Sequence, residues 1–174
     1  ITFIEANKNL EPDIIQSISG FNNVDYRIIA AGASDSCGYL NLDKTHSNKG
    51  QSSSLLEPKG HLKRYPKIKF PDSVEVPILP LDKIMEGKPF DFLHIDVQGY
   101  ELEVLKGASK SLKNVYTIIV EINRSELYRS CPMVEEIDDF LSGFGFDRIE
   151  TEWRHGRENW GDALYTRKHN EKNN

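Results

Sequence analysis

Residues 90–123 read FDFLHIDVQGYELEVLKGASKSLKNVYTIIVEIN, and the fold class follows from them. Phe90 to Asp96 is a short, strongly apolar run with strand character, ended by Gly99. Leu102, Leu105, Ser109 and Leu112 recur at the spacing of one helix face. Val115 to Ile122 is a continuous β-branched run of the kind carried by a strand buried on both faces. Strand, helix, strand in so short a span requires a crossover, so the two strands are expected to run parallel with a right-handed connection.

Downstream, Val134, Ile137, Leu141 and Phe144 mark a further helix, and Phe146–Glu150 and Ala163–Thr166 read as final strands. Upstream, Ile1 to Ile4 is β-prone and stops at Glu5; Leu10, Ile14, Ile15 and Ile18 share a helical spacing, with Pro12 in the first turn and Gly20 closing it. Val24, Tyr26, Ile28 and Ala30 alternate as one strand, and Gly38–Leu42 and Val74–Leu79 read as two more, the latter despite Pro77. Asp82 suits the N-cap of a short helix ending at Gly87. Between them, residues 43–73 form a long polar loop with Ser52-Ser53-Ser54 and three prolines, room for one helical turn, and the length that functional loops have. The expected fold is α/β: a doubly wound, mainly parallel sheet in one domain over residues 1–168, with a disordered tail at 169–174.

Twenty-seven acidic against 22 basic residues leave a net charge of −5, which argues against a nonspecific nucleic-acid binder. No apolar run approaches the roughly 18 residues of a membrane span. Two cysteines, Cys37 and Cys131, are too few for a disulfide framework and read as reduced core residues of a cytoplasmic protein.

Ligands of doubly wound sheets collect outside the carboxyl ends of strands, which directs attention to Glu5, Ala30–Asp35, Asp96 and Glu121–Asn123. Glu5, followed by Asn7, could accept two ribose hydroxyls or simply be a solvent-facing charge. Asp96 leaves its strand on the same face as His94 and could hold an ammonium group; Gly99 then allows close approach. Glu101 reads as a complement to the helix N-terminus. His94 has the pKa range of a general base but equally suits a structural strand position. Asp96, Glu121 and Asn123 could together ligate a hard cation, although each serves equally well as a hydrogen-bonded strand end, and no metal is assigned. Trp153, Arg154, His155, Arg157 and Trp160 suit stacking on sugars or docking acidic groups, or pack a surface loop.

Asp91 to Glu101 (DFLHIDVQGYE), continuing to Val104-Leu105-Lys106-Gly107-Ala108, resembles the signature block of the FkbM family of S-adenosylmethionine-dependent methyltransferases. Glu5 with Asn7, Ala33-Ser34-Asp35 with Gly38, the serines at 52–54, Leu81-Asp82, Ile118-Ile119-Val120-Glu121 and Gly161 to Tyr165 follow in the family's order. Members commonly carry Lys and Glu where this chain has His94 and Gln98. The resemblance implies a Rossmann-like sheet of the class I methyltransferase type. It also places a glycine-rich strand–loop–helix before Ile1, between the strand ending at Glu5 and the one ending at Asp96. That first βα unit is missing here, so the chain is expected to be part of a longer reading frame.

The implied activity is methyl transfer from S-adenosylmethionine to a hydroxyl of a sugar or natural-product scaffold. Glu5 and Asn7 would then serve the ribose, Ser34 and Asp35 the adenine, and Asp96 the amino-acid end or the acceptor. His94 would be the base, with Glu121 and Asn123 on the acceptor side. The acceptor is a small molecule or saccharide; homo-oligomers fit the same reading. A nonenzymatic interaction domain and a nicotinamide-dependent oxidoreductase are the alternatives.

Overall fold

The apolar runs become strands in the computed structural model, which describes residues 1–45, 47–154 and 159–167. The tail expected at 169–174 lies outside the described residues. Strand β1 (Thr2–Glu5) runs through α1 (Glu11–Ile18) to a parallel partner, β2 (Asp25–Ile28). A second sheet holds β3 (Ala30–Gly32), β4 (Ser36–Leu42) and, after α2 (Gly60–Arg64), β5 (Asp72–Pro80), which lies between parallel β3 and antiparallel β4. Beyond α3 (Leu81–Ile84) come β6 (Phe92–Ile95), α4 (Glu101–Gly107), β7 (Thr117–Asn123), α5 (Val134–Gly143), β8 (Phe146–Trp153) and β9 (Trp160–Arg167). The third sheet has the order β6-β7-β9-β8.

The architecture is therefore mixed α/β, and the expectation of a mainly parallel, doubly wound sheet is corrected. Parallel pairing is confined to β1–β2, β3–β5 and β6–β7, while β4–β5, β7–β9 and β8–β9 are antiparallel. The link from Trp153 to Trp160 is too short for a crossover, so β8 and β9 can pair only antiparallel. The stretch expected as one strand over Val24–Ala30 changes sheets: Ile28 pairs with Glu5, whereas Ala30 pairs with Ile78. Pro77 is tolerated because the ladder with β3 begins only at Ile78.

Two helices differ from expectation. The α4 helix stops at Gly107, and Leu112 is carried by a separate 3-10 turn, Ser111–Asn114. Asp82 does not cap its own helix, whose N-cap is Pro80. Its carboxylate instead accepts from Lys110 N and Ser111 N, both at 2.9 Å, and so starts that turn.

The principal core packs α4 and α5 against β7, with Leu105, Ile118, Val120, Ile137 and Leu141 all at 0% exposure. Burying each such side chain is worth about 1.5–3 kcal/mol. Cys131 joins a smaller cluster, but Cys37 is exposed rather than in the core; both are free thiols. No helix among the described residues is long and apolar enough to cross a membrane.

Candidate functional site

Strands β1 and β6 belong to different sheets, and each is paired on only one side among the described residues. Both border a cavity of about 800 Å³, lined by Ile4 and Glu5 from one and by Leu93, His94 and Ile95 from the other. Asp96, Gln98 and Glu121 line it as well, so the three strand-end carboxylates expected to be functional share one space.

Their environments differ. Glu5 accepts from Asn7 N at 2.6 Å; burial raises its carboxyl, the N–H groups of Asn7 and Ala6 oppose this, and the charge of Asp96 adds to the rise. Glu121 is pushed well above the ordinary range by burial first, then by the charges of Glu101, Asp96 and Asp162. Gln98 ties the group together. Its Nε2 donates to Asp96 Oδ1 at 2.7 Å and Glu121 Oε2 at 3.4 Å, and its Oε1 lies 3.0 Å from the Tyr128 hydroxyl.

The Val97–Gly99 turn that presents Gln98 is pinned from both sides. Ser54 Oγ donates to Gln98 O at 2.7 Å. Glu101 Oε1 accepts from Val97 N at 3.2 Å and Gly99 N at 2.9 Å. Gln98 has a φ of 55° and Gly99 of 100°, and a Cβ on Gly99 would meet Cys131, Tyr128 and Leu56 within 3.3 Å. Glu101 thus serves N–H groups at the helix start as expected, yet it is fully buried, and burial raises its carboxyl to about 7.

Other candidates fall differently. His94 is exposed and on the cavity lining. Asn7 lies outside the lining: its Oδ1 accepts from Asn9 N at 3.1 Å and caps the short 3-10 turn Lys8–Leu10. Ser34 and Asp35 also lie outside it; both are exposed, and Asp35 pairs with Lys83 at 2.5 Å. Asn123 is buried, with no hydrogen-bond partner for Oδ1 among the described residues. No group of three His, Cys, Asp or Glu side chains among the described residues is placed to hold a metal ion.

The aromatic and basic cluster near the C-terminus divides. Trp160 lines the cavity and donates from Nε1 to Tyr65 Oη at 2.9 Å. Arg154 pairs with Asp162 at 2.7 Å, and Trp153 lies under the Arg124 guanidinium. His155 and Arg157 lie outside the described residues. Sequence reasoning missed His61, which lines the cavity beside Ser52, and Tyr128, which packs behind it and donates to Ser52 O; both lie in stretches without helical or strand periodicity.

The lining contains three carboxylates and, among the described residues, no Lys or Arg. Such a space at strand ends of an α/β domain suits a ligand that carries positive charge. The sequence matches the Methyltransferase FkbM domain over residues 2–148, and the chain belongs to that family. It is 30% identical over 96 residues to the 2-O-methyltransferase NoeI of Sinorhizobium fredii (strain NBRC 101917 / NGR234), a match covering 53% of this chain and 40% of the relative. No solved structure matches the chain.

Proposed function

We propose that this domain transfers a methyl group from S-adenosylmethionine to a hydroxyl oxygen of a saccharide or small scaffold. The observation that carries the reading is the acidic lining, which holds no Lys or Arg among the described residues, because the methyl donor is a sulfonium that also bears an ammonium group. Glu5 holds the ribose hydroxyls with the carboxylate oxygen left free by Asn7. Asp96, aligned by Gln98, meets the ammonium end or the acceptor. His94 is the candidate base on this wall, and Glu121, whose neutral form burial favours, faces the acceptor. When bound, the donor supplies an electrophilic methyl carbon, and the protein's task is alignment and deprotonation of the acceptor. Tyr65 and Trp160 line the cavity and suit stacking on a sugar ring, and the name of the 2-O-methyltransferase relative agrees with an oxygen acceptor. A cytoplasmic location and a homo-oligomeric state belong to the same proposal.

The edges of β1 and β6 that flank the cavity have no strand partner among the described residues, and a glycine-rich strand–loop–helix inserted there would complete the donor site. Backbone N–H groups of such a turn have no side-chain substitute. The 174-residue chain is expected to bind S-adenosylhomocysteine in the millimolar range, about −4 kcal/mol. A chain extended upstream by one strand–loop–helix is expected to bind in the micromolar range. In that extended chain Glu5→Gln should weaken binding roughly 10- to 100-fold, the loss of charge-assisted hydrogen bonds worth about 1.5–3 kcal/mol. Titration calorimetry reads all three. Micromolar affinity in the short chain would show that the cavity is complete as it stands, and an unaffected Glu5→Gln would remove Glu5 from the donor site.

A further inference from the structure

The loop after β4 builds a second polar cluster on the cavity wall, joined to Gln98 through the Tyr128 hydroxyl. It joins Asp43, Asn48 and Ser52 to His61 of α2. His61 is 3% exposed and enclosed by the rings of Tyr65, Phe70 and Tyr128, with centroids 4.9, 5.5 and 5.2 Å away. Its Nδ1 has no hydrogen-bond partner among the described residues, and its Nε2 lies 3.2 Å from Ser52 Oγ. Ser52, Asn48 and His61 all line the cavity.

The direction of the Ser52–His61 hydrogen bond follows from the neighbours. Burial raises the Asp43 carboxyl, but Asn48 and the N–H groups of Thr45 and Ser52 together outweigh it and hold the group below its ordinary range, hence ionised. A carboxylate only accepts, so Asn48 must present its amide N–H to Asp43. The same Nδ2 donates to Ser52 Oγ at 2.9 Å. Among the described residues, the one acceptor within reach of the Ser52 hydroxyl proton is His61 Nε2. A buried hydroxyl proton left without an acceptor is costly, which favours the arrangement in which His61 accepts.

We infer that Ser52 donates to His61 Nε2, and that this pair draws the proton from a hydroxyl acceptor bound in the cavity. The inference rests on the methyl-transfer reading and moves the proton path away from His94. Ser52 is the catalytic residue that touches the acceptor; His61 acts through it. In the step, the acceptor oxygen bonds to the methyl carbon of the sulfonium donor. The carbon–sulfur bond breaks with its electron pair remaining on sulfur. The acceptor's proton passes to Ser52 Oγ as the Ser52 proton passes to His61 Nε2. Burial lowers the His61 pKa, so the ring is neutral at pH 7 and able to accept; the nearby Asp43 charge opposes that shift and steadies the imidazolium once formed.

Nitrogen-15 NMR of the 174-residue chain reads the His61 tautomer without any substrate. The expected form has a proton on Nδ1 and none on Nε2, with the Nε2 resonance shifted in Ser52→Ala. A proton on Nε2 would mean that the ring donates to Ser52, and the inference would be wrong. The second arm follows labelled methyl transfer from S-adenosylmethionine to methyl hexopyranosides by the chain extended upstream by one strand–loop–helix, taken as the wild type for this arm. Ser52→Ala and His61→Gln should lower kcat about 100-fold or more at an unchanged KM for the donor, with Ser52→Thr retaining the rate. Equal rates for the wild type and His61→Gln would overturn the inference. Absence of transfer by the wild type would sink the methyl-transfer reading itself, whereas the tautomer still decides the direction of the hydrogen bond.

Discussion

Gly107→Ala is expected to cost about 3–5 kcal/mol, a large share of a domain stability of order 5–15 kcal/mol. Helix propensity alone predicts the reverse, since Ala is favoured over Gly inside a helix by about 1 kcal/mol. Contact decides the sign. A Cβ at Gly107 would lie 1.9 Å from Gly32 O, 2.9 Å from Gly32 C and 3.1 Å from Pro80 Cα. All three are backbone atoms of β3 and β5, so no side chain can rotate away. The methyl group fits only if α4 lifts off the sheet, opening the core around Leu105. Gly143→Ala at the end of α5 is the control: nothing lies within 4 Å of its Cβ position, and stability should hold or rise. Urea midpoints of the two variants check both statements; a Gly107→Ala protein as stable as the wild type would refute the packing of α4 on β3.

Glu101→Gln is expected to gain stability relative to the wild type as pH rises from 5 to 8. The Glu101 carboxyl is fully buried, and its pKa is raised from 4.5 to about 7, by burial first and with the Asp96 charge adding. Between those values the folded state holds a proton that the unfolded chain has released. Stability therefore falls as pH climbs through this window, by about 3 kcal/mol in all. Glu121, also raised, contributes in the same direction. His61, lowered by burial, contributes oppositely below its ordinary value, so the difference between variant and wild type is the proper measure. At pH 5 the Glu101→Gln variant should be somewhat less stable, because its amide places two N–H groups where the protonated carboxyl places one O–H, at a position with no partner among the described residues. By pH 8 most of that deficit should have closed or reversed. A difference independent of pH would show that Glu101 does not hold its proton in the folded chain.

The legible part of this protein is the part governed by periodicity. The run FDFLHID, the stripe through Leu102 and Leu105, and the β-branched VYTIIVEI give β6, α4 and β7, with β6 and β7 parallel. A carboxylate at the end of a strand projects where the strand ends, so the pairing of β6 with β7 brings Asp96 and Glu121 together, whereas Glu5, on a separate sheet, joins them only across the cavity. Sheet assignment was not legible: Ile29 changes sheets within an unbroken apolar alternation, and nothing local records which neighbour waits on either side. The loop wall was hidden for a different reason. Asp43, Ser52 and His61 sit in polar sequence without a repeat, and only tertiary packing of α2 encloses the histidine between Tyr65 and Tyr128. Asn7, Ser34 and Asp35 followed from motif order rather than from geometry; a cap takes up Asn7 and solvent surrounds the others.

The central claim is that the cavity bordered by β1 and β6 receives the methyl donor. Chemical-shift mapping tests it most directly, because it detects binding even at millimolar affinity. With S-adenosylhomocysteine added to the nitrogen-15-labelled chain, amide shifts are expected to concentrate at Ile4–Ala6, Ala30–Ala31 and Leu93–Gln98, the segments that line this space. Unmoved resonances at millimolar ligand, or shifts gathered instead on the α5–β8 face, would contradict the account.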